Sequence, residues 1–165
     1  MSKARQAQAR IVPHNRYIAL LSWAWLCTAL AQTPQSPIPE GPLGEAIRFG
    51  ERILTHTREA VPQYSGNALN CTSCHLDAGR KPYSSPWVGV WGVFPEYRGR
   101  NALVNLMEDR VNDCFERSMN GRPLPLDSAE MRAILAYMQW VSRGVPTGQD
   151  GPGRGFKRIA APEGS

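Results

Sequence analysis

The segment Cys71-Thr72-Ser73-Cys74-His75 constrains this 165-residue chain more than any other. Two thiols three positions apart can reach the two vinyl groups along one porphyrin edge, and the next residue presents an imidazole to the iron from beneath the ring. C-x-x-C-H therefore reads as the attachment site of one haem c, bound covalently through Cys71 and Cys74, with His75 as an iron ligand. The blander readings fit less well. A thioredoxin-type C-x-x-C wants a strand–helix context, and the flanks here are loop-like. A structural zinc site wants a second close pair of ligands, where only Cys114 and distant His56 remain. A disulfide leaves His75 unexplained, and the Asn70-Cys71-Thr72 sequon uses a cysteine already committed.

The N-terminus fits a route out of the cytoplasm, where such haem is attached. Lys3, Arg5, Arg10 and Arg16 precede the apolar run Tyr17–Ala31, which ends in Ala29-Leu30-Ala31. A positive n-region, a short h-region and an A-x-A site predict a signal peptide over 1–31 and a periplasmic protein. The alternative is an uncleaved N-terminal anchor facing the periplasm, but the run is shorter than the roughly 20 residues a spanning helix needs. No stable membrane span is expected after cleavage. Cleavage removes four of the 19 basic side chains and none of the 14 acidic ones. The remainder is close to neutral, which takes away the electrostatic support for a nucleic-acid partner.

Residues 32–42 carry four prolines and read as an extended linker, and 144–165 read as a Gly/Pro-rich tail. The foldable part is 43–143. Its periodicity predicts helices over Leu43–Arg58, over Asn101–Met119 with Asn101 as cap, and from an Asp127-led capping box to Gly144. Val88–Phe94 comes nearest to a strand, weakened by Gly89 and Gly92. The expected class is all-α and cytochrome c-like, with three or more helices around one covalently attached haem. Three helices alone make a thin core, and the haem fills it. Trp87, Trp91 and Phe94, in Lys81–Pro95, are expected to pack in the core or on the haem edge, or to bind a partner.

The second iron ligand is open from spacing. His56, Met107, Cys114, Met119, Met131 and Met138 are the candidates. Met131 and Met138 lie on the apolar stripe of the last helix and read as core filler. His56 reads as a surface residue near a helix end. Met119 precedes a loop of the kind that supplies methionine to electron-carrier cytochromes. Cys114 is the one thiol left over in an exported chain, on the helix face shared with Leu103 and Met107. A thiolate there lowers the reduction potential of the iron, whereas methionine raises it.

Two longer stretches carry a family resemblance. Gly66–Gly79 (GNALNCTSCHLDAG) and Arg110–Gly121 (RVNDCFERSMNG) resemble the N-terminal haem domain of thiosulfate dehydrogenase, a family related to sulfur-oxidation cytochromes with cysteine-ligated haem. The likeness runs from about Leu43 to Phe156. It implies a cytochrome c fold with His75 and Cys114 as axial ligands, Cys114 also meeting substrate, and Arg100 and Ser118 holding it. An arginine fork beside a dianion is sound physics, as is a hydroxyl one helical turn past Cys114.

The activity implied is oxidation of thiosulfate, or a similar sulfur anion, to tetrathionate by an oxidoreductase. Family members with full activity carry a second haem domain, whose lysine also reaches the substrate; no second C-x-x-C-H follows before Ser165. A separate cytochrome is thus expected as electron acceptor. The rival expectations are a simple His75/Met119 electron shuttle and a redox-sensing haem subunit without catalysis.

Overall fold

Pro42 opens the first helix at a position where its missing N–H is no loss and its fixed φ suits the turn. The computed structural model describes residues 36–160; segment 1–31, expected from sequence to be a signal peptide, and the first part of the linker lie outside them. Helix α1 (Pro42–Thr55) and a short α2 (Thr57–Ala60) replace the single helix expected over Leu43–Arg58. His56 breaks it with φ −132, ψ 52, and Thr57 is turned wholly inward.

The remaining elements follow in chain order. A 3₁₀ turn (Cys71–Ser73) leads to α3 (Leu76–Gly79), a single turn, and a second 3₁₀ turn covers Val90–Val93. Strands β1 (Glu96–Arg98) and β2 (Leu103–Asn105) form an antiparallel hairpin in which Tyr97 pairs with Val104. Helix α4 (Met107–Asp113) runs into a π turn (Cys114–Ser118), and α5 (Ala129–Val141) ends the regular structure.

Two expectations are corrected here. The helix predicted over Asn101–Met119 begins only at Met107. Its first residues form β2, and the Asp109 carboxylate accepts the Leu106 N–H (2.8 Å) where Asn101 was expected to cap. The domain is therefore mainly helical with one small hairpin, not purely α. At α5 the cap is Ser128, one residue after Asp127, and its hydroxyl accepts the Met131 N–H at 3.1 Å.

The core sits where α1 and α5 cross. Ile47, Ile53 and Leu54 meet Met131, Ile134 and Tyr137, all essentially fully buried. Gly50 sets the closeness of the crossing: a Cβ there would lie 2.0 Å from the Ala133 carbonyl oxygen. Met131 is thus core filler, as its stripe implied. The linker docks as well, since Trp140 Nε1 donates to the Ser36 carbonyl (3.0 Å). Among the described residues no helix is long and apolar enough to cross a membrane.

Candidate haem and sulfur-ligand site

The local chemistry of the C-x-x-C-H turn is set by hydrogen bonds from outside it. Asn70 N–H donates to Ser73 Oγ (3.1 Å), and Thr57 N–H donates to Asn70 Oδ1 (2.8 Å). Cys71 N–H donates to Thr57 Oγ1 (3.1 Å), so α2 holds the turn against α1. Cys71, Cys74 and Cys114 are all free, without a disulfide. Burial pushes the Cys71 thiol up to about 11, so it is held neutral.

His75 is oriented by its Nδ1, whose N–H donates to the Ser85 carbonyl at 2.5 Å. That bond fixes the tautomer and leaves Nε2 as the lone-pair nitrogen, which is the form iron needs. Burial is the main cause that lowers the pKa of His75; the Ser85 bond opposes it and the Arg110 charge adds to it. The ring packs on Trp87 (centroids 4.9 Å), and Trp87 meets Tyr137 edge-on at 6.1 Å. Of the three aromatics singled out in sequence, Trp87 is core, Phe94 lines the site and Trp91 is exposed.

These residues open onto a cavity of about 350 Å³, lined by Cys71, Cys74 and His75 on one element and by Met107, Arg110, Val111, Cys114, Ser118 and Met119 on another. The second set is one helical face, spaced by three or four residues from α4 into the π turn. Met119 N–H closes that turn on the Cys114 carbonyl (2.9 Å), a π-type bond of the sort often found at functional sites. The structure thus brings Cys114 and Ser118 into the cavity of the C-x-x-C-H motif. Leu103, expected on the same face, lies on β2 and is exposed. Met119 is buried and lines the cavity; Met107 and Met138 do too, whereas His56 instead bonds Thr55 Oγ1 (2.9 Å).

Arg100 is placed differently from the resemblance. It lies exposed in the hairpin turn, outside the cavity lining. The arginines that do line the cavity are Arg98, Arg110 and Arg154, with Glu96 between them. Arg110 matters most, because its Nη1 donates to Cys114 Sγ at 2.8 Å. It was not singled out from sequence, although its spacing of four from Cys114 was the available signal.

Two free thiols, a neutral tautomer-fixed imidazole, a largely apolar chamber and a charge-supported sulfur suit a covalently held porphyrin. Fold and site together define a c-type cytochrome domain. The profile of the family described as "SoxA/TsdA, cytochrome c domain" matches residues 62–147, and the chain belongs to that family. Membership implies covalently bound haem c. Thiosulfate dehydrogenase of Psychrobacter arcticus is 42% identical over 125 residues, covering 76% of this chain and 38% of the relative. That of Stutzerimonas stutzeri is 42% identical over 134 residues, 81% of this chain and 44% of its own. Among solved structures, thiosulfate dehydrogenase (TsdBA) of Marichromatium purpuratum matches with a TM-score of 0.76 at 34% identity, covering 83% of this chain and 31% of that one. The chain thus spans less than half the length of these relatives.

Proposed function

We propose that this domain is an exported, periplasmic cytochrome c with one haem, ligated by His75 and Cys114, that serves oxidation of thiosulfate or a similar sulfur anion. The observation that carries the reading is the Arg110–Cys114 contact inside the cavity of the C-x-x-C-H motif. The contact places a cationic donor directly on the sulfur. A thiolate is both a metal ligand and a nucleophile. The names of the relatives in Psychrobacter and Stutzerimonas supply the substrate class.

The residues divide the work. Cys71 and Cys74 would hold the porphyrin as thioethers, and Ser85 keeps His75 in the ligating tautomer. Bound haem would supply a one-electron centre. Arg110 gives the chamber positive charge for a dianion, Arg98 and Arg154 share theirs with Glu96 and Asp150, and Ser118, exposed at the end of the π turn, offers a hydroxyl beside it. Joining two thiosulfates forms one S–S bond and releases two electrons and no proton. One haem takes one of them, so a second cytochrome is the natural acceptor.

A His75/Met119 shuttle is the competing reading, favoured by the presence of Met119 in the same lining. The two separate on the haem-loaded protein. Thiosulfate with an added acceptor is expected to yield tetrathionate, and Cys114→Ala to abolish it. Haem that thiosulfate never reduces, with no tetrathionate formed, would leave electron carriage alone.

A further inference from the structure

The segment after α5 does not hang free; it is sewn onto the loop that orients His75. Tyr83 N–H donates to the Gly153 carbonyl (2.8 Å), Ser85 N–H to the Gly155 carbonyl (2.8 Å), and Lys157 N–H to the Tyr83 carbonyl (3.1 Å). Ser84 and Phe156 form an antiparallel bridge between them. Arg154 pins the segment by ion pairs to Glu96 (2.8 Å) and Asp150.

The loop held this way is costly to hold. Tyr83 (φ 61) and Ser85 (φ 50) are both left-handed without being glycine. Such residues are strained and persist only where their surroundings over-determine them. Here the surroundings are the tail. Ser85 is gripped at both polar atoms, its N–H by Gly155 and its carbonyl by His75 Nδ1.

We propose that residues 153–157 form a clamp that fixes the Ser85 carbonyl on His75 and thereby sets the reduction potential of the iron His75 binds. The inference rests on the reading of His75 as an iron ligand. An Nδ1–H held by a good acceptor makes the ligating nitrogen a stronger donor, which favours the ferric state. Loosening the clamp weakens that donor and raises the potential. Ser85 and Gly155 are positioning residues in this sense. Whatever engages or displaces the tail, a redox partner included, would shift the potential.

Gly155 gives a clean handle, because its φ is +81 and nothing lies within 4 Å of where a Cβ would stand. A substitution there meets no other residue, and because Gly155 lines the cavity, Asn controls for the added side chain while Val adds the backbone strain. Asn tolerates the left-handed region and β-branched Val does not. In the full-length, haem-loaded protein, Gly155→Val is expected to raise the reduction potential and to speed amide exchange at Ser85. Gly155→Asn should match wild type in both. Should Gly155→Val fail to fold, Gly155→Ala strains the same backbone less, changes no charge and should give a smaller rise. Unchanged potential with faster Ser85 exchange, in either variant, overturns the clamp. Protein that never acquires covalent haem overturns instead the ligand reading beneath it, and colour separates the two failures.

Discussion

On the wall of the cavity that runs from Cys71 to Trp87, the groups that set its geometry are tied down. Thr57 and Asn70 brace the cysteine turn, Ser85 holds His75, and Trp87 is wedged between His75 and Tyr137, whose hydroxyl donates to the Ala78 carbonyl at 2.9 Å. On the wall from Met107 to Met119 the sulfur of Cys114 accepts from one side chain, Arg110, and Ser118 faces solvent. The rim is completed by Arg98, Arg154 and Glu96, the hairpin contributing two of the three. The contrast separates holding from reacting. The difference lies in tethering and not in burial, since both side chains are half-buried: His75 is fixed by Ser85 and Trp87, whereas Cys114 Sγ meets the end of one arginine.

The contrast breaks first at the covalent bonds. Replacing Cys71 and Cys74 together by Ala should abolish covalent haem, read as loss of haem stain on a denaturing gel. Next, Cys114→Ala is expected to change the low-spin spectrum and to lower thiosulfate-dependent haem reduction by at least about tenfold, while folding survives on the opposite wall. Met119→Ala should do the reverse: it empties a buried site and costs about 2–5 kcal/mol in denaturant unfolding, with the ligand spectrum kept. Arg110→Gln sharpens the comparison, because it removes the donor to Cys114 and should lower the reduction potential and weaken thiosulfate binding, both measurable by titration. The smallest effect is expected for Arg100→Ala. That side chain is exposed outside the cavity, so thiosulfate affinity should stay within about twofold of wild type.

Much of the holding wall is legible in sequence, because its signals are local. C-x-x-C-H needs no partner to be recognised, and the stripe from Met131 to Val141 predicts the face that packs on α1. The π-turned wall is only half legible. Cys114 stands out as a leftover thiol, but the spacing that includes Leu103 and Leu106 fits a helix as well as a short strand. Three residues are too few to display a period of two, and the turn before β2 depends on Ala102 at φ 55, which no local preference announces. Arg110 hid in plain spacing. The tail shows the limit most clearly: its glycines read correctly as loop, while its pairing with Tyr83 and Ser85, some seventy positions away in the chain, is a tertiary event with no local code. Arg100 came from likeness alone, and likeness places a residue in a family's pattern rather than in this cavity.

The most direct test of the two-wall account is the electronic and EPR spectrum of the oxidised, haem-loaded protein beside its Cys114→Ala and Met119→Ala variants. The account predicts a low-spin ferric signal of thiolate type that disappears in Cys114→Ala and persists in Met119→Ala. A methionine–iron band that survives in Cys114→Ala and vanishes in Met119→Ala would contradict it.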